Sequence, residues 1–595
     1  MPVSPYFNSI FSKAHTDLNR PRSSFPRDHK VYTSLNAGKL VPIDIQEVLP
    51  GDTVTRRTRQ IWRLSTPKFP TMDHCFLDVY NFFIPFRILQ TNFKRVFGET
   101  ETPWVSTSDY YIPKVSFSIN APGPDDFSVG DYMGIPTRKQ ILSINGGSMS
   151  SIASGDYEFA VNALYGRGYA MTWNEYFRDV NLQPAASCPL DDTDRIIVNA
   201  NRTDPFISAY TYGALLPVAK AHDYFTSALP SPQRGEEVKL SLGSLAPVVT
   251  GDLINKADLN YNNPMSYYFK SDIAGSVNNI VLPKMADGGA LLASGGGRDD
   301  NGIKAFVARG LSTSGDPGIS IGAGVLPANL YADLSQTGAE TINQLRLAVA
   351  TQQYLELLAR GGNRYRSFLY SFFGVTSPDA SLQIPQYLSG RRIPIKISQV
   401  IQTSSDSSET SQPLGDTGAY SLTFDNDFDF ETSFSEYGFI MTVACLRTTH
   451  TYSQGLHKMW KRRSALDFYT PVFANVGEMP IDRDELVMTG KKSIDRSAFG
   501  YQEAYAEYRY APNTATAGFR AGTDAGYFLP WTYIDDYDSV PYLNQDWITE
   551  PSTLLDRSLA VSSDSPGSQL FGEMHFDDTW RRVMPVYSIP GLYKL

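Results

Sequence analysis

Basic side chains accompanied by aromatic rings occur in two stretches of the chain, and the first lies within residues 1–30. Its five cations are Lys13, Arg20, Arg22, Arg27 and Lys30. Three phenylalanines accompany them, which suits a single-stranded nucleic acid because cations meet phosphates while rings stack on bases. The segment shows no helix or strand period, so a plain terminal arm is the alternative to an arm that lies near nucleic acid.

The second stretch, residues 447–463, contains five Lys or Arg side chains and no acidic residue. Its candidates for contact with nucleic acid are Lys458, Trp460, Lys461, Arg462 and Arg463. The pattern predicts either a pocket for DNA or, more simply, a cationic surface at a contact between subunits. His450 and His457 lie nearby, but neither their spacing nor the distant cysteines predicts a zinc site.

Acidic residues alternate along one predicted strand, at Asp425, Asp427, Asp429 and Glu431. They could converge on Ca²⁺, but the spacing lacks the glycine and the closing glutamate of an EF-hand loop. We therefore favour a solvated acidic edge. The three cysteines are scattered and form no CxxC pair, which predicts buried, reduced thiols and no metal site.

Catalytic motifs are missing from the sequence. It contains no G-x-S-x-G elbow, no H-E-x-x-H pair and no P-loop, and the glycines at 318–324 lack the Lys-Ser/Thr that a phosphate cradle needs. Carboxylates are plentiful, yet no stretch places two of them in a recognisable glycosidase setting. The sequence predicts neither an enzyme nor a bound cofactor.

The elements that must position these residues are mainly strands. The composition, with 38 prolines, 45 glycines and 13% aromatic residues, favours many short strands over a helical bundle. Residues 38–89 read as strands, and the later part is apolar on both faces, as in a strand covered on both sides. Arg57, Arg59 and Arg63 share one face of the earlier strand, which predicts a solvated or interface face more readily than a DNA contact.

Two helices stand out against this background, at 159–182 and 339–361. In the second, apolar residues recur every three or four positions, Thr341 and Gln344 are spaced as a capping box, and two glycines end the helix. Ile393, Ile395 and Ile397 then alternate with other residues, which predicts a half-buried strand that starts at Pro394.

Charge is distributed unevenly along the chain. The formal net charge is -10, which argues against coating nucleic acid over the whole surface, yet residues 1–70 carry eleven Lys or Arg against five acids. If the chain encloses a nucleic acid, it can neutralise only a little phosphate charge, so polyamines or a separate basic protein would be needed as well. The sequence shows no secretory leader and no apolar run of eighteen residues, so we expect cytosolic synthesis and no membrane insertion.

Several blocks resemble, in order, the major capsid protein of gokushovirus-like microviruses, which are small icosahedral bacteriophages with single-stranded DNA. The blocks are LLPVAKAHDYFTSALPSPQRG at 215–235, TINQLRLA and LLARGGNRYRSFLYSFFGVTSPDASLQIPQYLSG within 339–400, SFSEYGFIMTVACLRTTHTYSQGLHKMWKRRSALDFYTPVFANVGE at 433–478, FGYQEAYAEYRY at 499–510 and RRVMPVYSIPGLY at 581–593. Together they cover about half of the chain, and long colinear blocks are more specific than one short motif.

The resemblance implies a mainly β fold, an eight-stranded antiparallel viral jelly roll with long loop insertions that contain a few helices. It divides the chain into a basic, internal N-terminal arm at 1–30, a first part of the jelly roll with a loop and helix insertion at 31–235, a glycine-rich variable insertion at 236–338 and the remaining strands with an extended C-terminal segment at 339–595. The insertion is the candidate for a protrusion near the threefold axes.

The resemblance also implies self-assembly into an icosahedral homo-oligomer around a circular single-stranded DNA genome. The implied partners are a small basic DNA-binding protein, scaffolding and pilot proteins and a host surface receptor. The virion is the implied location, with synthesis and assembly in the host bacterial cytoplasm. From the residues alone, a carbohydrate-binding β-rich adhesin or lectin-like protein is the alternative, and a secreted glycoside hydrolase is a third possibility.

Overall fold

A computed structural model describes most of the chain. The described residues are 22–99, 110–149, 152, 156–199, 202–238, 342–401, 403, 417–522 and 526–587, with short strands at 248–250, 267–270, 280–282, 326–327 and 330–332. The chain divides into two compact units, of which the larger joins residues 1–234 to residues 356–595 and the smaller spans residues 235–355.

Eight strands of the larger unit form two antiparallel sheets. They are β1 (His29–Leu35), β2 (Val41–Val48), β3 (Thr53–Leu64), β4 (Cys75–Pro85), β5 (Gln386–Pro394), β6 (Thr423–Ser433), β7 (Gly438–Thr448) and β8 (Leu570–Arg582). The first sheet has the order β1-β8-β3-β6, and the second has the order β2-β7-β4-β5. The short strand Ser23–Pro26 also pairs with β8 in the first sheet. The predicted mainly β, antiparallel class is confirmed.

The sequence alternation of β3 explains how the first sheet is oriented. Every second residue from Val54 to Leu64 is buried, whereas Arg57, Arg59 and Arg63 are exposed on the opposite face. This is the period of two that a strand with one buried face requires. The predicted shared face of the three arginines is confirmed.

A hydrophobic core lies between the two sheets. Trp62, Met574 and Phe576 of the first sheet pack with Leu77 and Leu446 of the second. Each such side chain contributes about 1.5–3 kcal/mol when it is fully buried. The two sheets are therefore held together mainly by apolar contacts along their facing surfaces.

A second core covers the other face of the second sheet. The helix Leu164–Thr172 continues as one π-helical turn, Trp173–Phe177, and its apolar side packs on Phe82 and Phe439. The ring nitrogen of Trp173 donates a hydrogen bond to the Pro217 carbonyl at 2.6 Å. Strands β4 and β7 are therefore covered on both faces, as the apolar sequence of β4 predicts.

The predicted helix around residue 350 is confirmed, but the strand after it is placed differently. The helix spans Ile342–Gly361, while Thr341 and its capping box lie outside the described residues. Strand β5 ends at Pro394 instead of starting there, and the next strand is Ile397–Ile401. Pro394 pairs with Phe76, and the ladder ends with the hydrogen bond that the Ile395 amide donates to the carbonyl of Cys75, the first residue of β4.

Shorter elements complete the described chain. The further helices are Phe93–Val96, Val129–Tyr132, Arg138–Ile144, Pro205–Ser208, Tyr365–Phe373, Asp379–Leu382, Lys492–Asp495 and Gln545–Ile548, and the further strands of the larger unit are Lys114–Phe117, Ala160–Asn162, Arg195–Ile197, Thr417–Ser421, Glu478–Asp482 and Ala498–Glu503. In the smaller unit Val248–Thr250 pairs with Leu330–Ala332, and Tyr267–Lys270 pairs with Ile280–Leu282 and Leu326–Pro327. No helix within the described ranges has both the length and the hydrophobicity to cross a bilayer.

The cysteines are free thiols, as predicted, although they differ in burial. Cys75 and Cys445 are buried, while Cys188 is half-buried. Burial raises the pKa of Cys75 to about 12 and that of Cys445 to about 11. At neutral pH these thiols are protonated and behave as small apolar side chains.

Candidate nucleic-acid interface

The described cations of the N-terminal stretch lie against the first sheet. Arg22 donates to the Thr53 hydroxyl at 2.8 Å, and the Lys30 ammonium lies 2.8 Å from a Glu573 carboxylate oxygen. The Arg27 guanidinium lies 4.9 Å from the centre of the Trp580 ring and donates to Gln46 at 2.9 Å. These three cations are therefore positioned by the sheet, and one of them is paired with a carboxylate.

The sequence shows no strand period in residues 1–30 and predicts an irregular arm, but this prediction is wrong for the end of that stretch. Ser23–Pro26 forms a strand, and β1 begins at His29, because both segments pair with β8 at the far end of the chain. Pairing with a distant strand overrides weak local propensity. Lys13 and Arg20 lie outside the described residues, so their contact with nucleic acid stays a prediction.

The second basic stretch folds into a surface turn that carries its own counter-charges. Lys458–Lys461 form a 3₁₀ turn in which the Trp460 side chain is 71% exposed, and Arg463 is exposed beside it. The Lys461 ammonium lies 2.7 Å from Asp482 and 2.6 Å from Asp484. Burial opposes the charge of Lys461, but the hydrogen bonds to these carboxylates outweigh it and raise its pKa.

Two further cations of this turn, Arg462 and Lys458, also have protein partners. The Arg462 guanidinium is 2.7 Å from Glu507 and 4.2 Å from the centre of the Tyr508 ring. Lys458 donates to the Pro480 carbonyl at 3.3 Å. Because these partners follow the basic stretch by many residues, a local charge count overstates its positive potential. Trp460 and Arg463 are the candidates most accessible to nucleic acid, and their role stays a prediction.

The alternating acids of β6 surround an arginine. Arg391 on β5 lies 3.2 Å from Asp425, 3.8 Å from Asp427 and 3.1 Å from Asp429. The predicted solvated edge is correct for Asp427 and Glu431 but wrong for Asp429, whose side chain is only 5% exposed. Within the described ranges no group of His, Cys, Asp and Glu is arranged to hold a metal ion.

A buried ion network, which the sequence interpretation missed, joins the two sheets. The Arg56 guanidinium on β3 lies 2.9 Å from Asp44 on β2 and 2.7 Å from Asp578 on β8. Burial raises the pKa of Asp44, but Arg56 and His29 outweigh this effect and lower it to about 2. The available signal was the alternation of β3, which places Arg56 in phase with the buried Val54 and Trp62.

A second buried network fixes the chain after residue 530. His450 Nδ1 lies 2.9 Å from Asp535, and Nε2 lies 2.8 Å from Glu550. Burial lowers the pKa of His450, but the hydrogen bonds to the two carboxylates outweigh this effect and raise it to about 9. At neutral pH both ring nitrogens therefore carry protons and donate. This histidine binds two carboxylates of its own chain and is not available to nucleic acid.

Comparison with known proteins shows similarity along nearly the whole chain. A family described as capsid protein (F protein) matches residues 14–592. The chain is 36% identical to capsid protein VP1 of Bdellovibrio phage phiMH2K, across 97% of this chain and 96% of that protein. It is 31% identical to capsid protein VP1 of Spiroplasma virus 4, with 97% and 96% covered, and 32% identical to that of Chlamydia phage 1, with 98% of each covered.

Proposed function

The chain belongs to the capsid protein (F protein) family, and from this premise we propose that it assembles into an icosahedral shell around a circular single-stranded DNA genome. The family match over residues 14–592 is the observation that carries the proposal. Membership makes the chain a structural component of a virion and agrees with the prediction that it is not an enzyme. The resemblance found in the sequence blocks is confirmed.

We propose that the two four-stranded sheets form a viral jelly roll. The orders β1-β8-β3-β6 and β2-β7-β4-β5 support this, because a jelly roll distributes eight strands over two packed four-stranded sheets, and here the first strand lies beside the last. Two packed sheets make a rigid wedge whose loops and termini are free to specify neighbours.

In the proposed shell one copy fills each asymmetric unit, and heterologous contacts close into rings about the fivefold and threefold axes. Exposed apolar side chains support such contacts, since a monomer gains nothing from leaving them in water. Examples are Tyr32, Val472 and Tyr587, which are all strongly exposed. Residues 236–338 are proposed to project near the threefold axes and to meet a host receptor.

The proposed cargo and partners follow from charge. With a net charge of -10, the chain cannot neutralise much phosphate, which supports co-packaging of a small basic DNA-binding protein or polyamines. Residues 13, 20, 22, 27, 30, 458 and 460–463 are proposed to face the DNA. Scaffolding and pilot proteins would act during assembly in the host cytoplasm.

Electron microscopy of the purified full-length protein tests the proposal. We expect uniform closed shells, or pentamers that convert into shells when the protein concentration rises. Monomers or trimers that bind glycans on an array would instead indicate the lectin-like adhesin. A protein that stays monomeric at high concentration and binds no glycan would overturn both.

A further inference from the structure

A cavity of about 580 Å³ in the larger unit is lined by four arginines. We call it the arginine pocket, and its cationic and aromatic lining consists of Arg178, His222, Arg360, Arg364, Arg366 and Tyr370. Asp179 is the carboxylate among the lining residues. None of these residues belongs to the basic stretches at 1–30 and 447–463. They come from three separate parts of the chain, which explains why no local charge pattern indicates the pocket.

Two of the four guanidinium groups have carboxylate partners outside the pocket. Arg360 pairs with Glu478, and Arg366 lies 3.2 Å from Asp379. Arg364 instead donates to the backbone carbonyls of Asn174 and Arg178, at 2.8 and 2.9 Å. These contacts hold the lining in place and leave two positive charges to be compensated.

Arg178 and Arg364 form no ion pair within the described residues. The Nε atom of each is buried and has no hydrogen-bond partner there. Burial lowers the pKa of Arg364, Glu175 partly opposes this, and the nearby charges of Arg178 and Arg366 lower it further. The guanidinium groups therefore repel one another, and an anion in the pocket would relieve that repulsion.

The lining matches the chemistry of a nucleotide. A guanidinium presents a planar set of donors that binds phosphate in a bidentate manner. Tyr370 is 65% exposed among the lining residues and offers a ring on which a base can stack. The helix Tyr365–Phe373 begins among these residues and lacks a side-chain cap, so its first amides add to the positive potential.

We propose that the arginine pocket binds a phosphate of single-stranded DNA while Tyr370 stacks on an adjacent base. The proposal rests on the proposed function, because the shell would enclose the DNA. An acidic peptide fits the pocket less well, because its carboxylates would pair with the guanidinium groups but would not stack on the exposed Tyr370 ring.

The test measures binding of a fluorescent oligothymidylate to the full-length protein by anisotropy, over a range of salt concentrations. We expect Arg178→Gln to weaken binding by about tenfold and to reduce the salt slope by about 0.7, the value for one phosphate contact on a single strand. Tyr370→Ala should weaken binding by about fivefold and leave the slope unchanged, because stacking releases no counterions.

The matched control is Arg57→Gln, which removes an exposed arginine from the outer face of β3. Unchanged circular dichroism shows that each variant is folded, and Arg178→Lys, which keeps the charge, should bind at an intermediate level. Equal losses for Arg178→Gln and Arg57→Gln would overturn the proposal. So would displacement of the oligonucleotide by polyglutamate at concentrations where inorganic phosphate has no effect, which would indicate an acidic protein partner.

Assembly distinguishes failure of this inference from failure of the proposed function. Shells of the wild type together with wild-type binding by Arg178→Gln would reject the pocket alone. A wild type that binds the oligonucleotide through Arg178 but forms no shell would reject the proposed assembly and retain the pocket as a nucleic-acid site.

Discussion

Arg56 shows how one buried charge can determine the packing of two sheets. Its side chain is fully buried and contacts carboxylates from β2 and β8, and it also donates to Thr442 on β7 at 2.9 Å. Apolar contacts between the sheets are tolerant of small shifts, whereas these hydrogen bonds require one register. We infer that the network specifies the alignment of the sheets more than it adds to their stability.

Replacing Arg56 with methionine should lower the free energy of unfolding by about 3–5 kcal/mol, because Asp578 is then left buried without a cation and Asp44 keeps only the His29 ring beside it. Denaturant unfolding followed by tryptophan fluorescence measures the change. The control is Arg57→Met at the next position, whose side chain is exposed and whose loss should change the free energy by less than about 0.5 kcal/mol. Equal effects at the two positions would contradict the role of the network.

His450 should make stability depend on alkaline pH. Its folded pKa is raised to about 9, so the stabilisation is fully present below the unfolded pKa of about 6.5 and is lost as pH rises through about 9. The shift corresponds to about 3 kcal/mol. Asp535, which also lies near Lys220 at 3.9 Å, keeps a lowered pKa and remains ionised over this range.

Thermal unfolding at pH 6, 7.5 and 9.5 checks this dependence. The difference in melting temperature between the wild type and His450→Gln should be largest at pH 6 and should shrink towards pH 9.5. The control is His74→Gln, which removes an exposed imidazole. A constant difference across the three pH values would mean that His450 is neutral in the folded protein.

At the scale of elements, Arg391 links the free edges of the two sheets. Strand β5 is the last strand of the second sheet and β6 is the last of the first, and no ladder joins them among the described residues. The Arg391 side chain crosses this gap to Asp425 and Asp429 and approaches the Thr58 carbonyl at 3.4 Å. Side-chain ion pairs therefore connect β5 and β6 at this edge, where no backbone hydrogen bonds join the two described strands.

Arg391→Leu should destabilise the protein by about 2 kcal/mol, the scale of a hydrogen bond to a charged group that loses its partner. Adding Asp425→Asn and Asp429→Asn should recover part of the loss, since neutral amides tolerate burial without a cation. Chemical unfolding midpoints measure both variants. Arg63→Leu, on the exposed face of β3, is the control, and a triple variant less stable than Arg391→Leu would contradict the account.

Sequence patterns predicted those elements whose burial follows a simple period. Strand β4 is apolar on both faces and is covered on both, and the arginine face of β3 is exposed. The end of β5 could not be predicted from the local sequence, because β5 ends where its distant partner strand β4 begins. Likewise the ion partners of Lys461 and Arg391 come from other segments of the chain. The local sequence therefore indicated more unpaired charge in the basic and acidic patches than the structure shows.

At the scale of the whole molecule, strands from the two ends of the chain pair with each other in the first sheet. Strand β8 pairs with β1 and Ser23–Pro26 on one side and with β3 on the other. More than 500 residues separate β8 from each of these partners, so the first sheet is completed only when the last strand is in place. Local sequence signals carry no information on such pairing, which is why residues 23–30 were assigned to an irregular arm.

The first 21 residues precede the paired strands, so their role can be tested without removing any strand of the first sheet. Deleting residues 1–21 removes Lys13 and Arg20 but retains every described strand. We expect the melting temperature to stay within about 2 °C of the wild type, because no described core side chain is lost. If both cations contact DNA, the salt slope for oligothymidylate binding should fall by about 1.4.

The full-length double variant Lys13→Gln with Arg20→Gln isolates charge from length and should reproduce the change in slope. Removing the residues after Gln569 provides the opposite control, because it deletes the central strand β8 and should abolish the cooperative transition. An unchanged slope in both N-terminal variants would show that Lys13 and Arg20 do not contact DNA. The nucleic-acid contacts would then have to come from the other cations of the first basic stretch, from the arginine pocket or from the turn around Trp460.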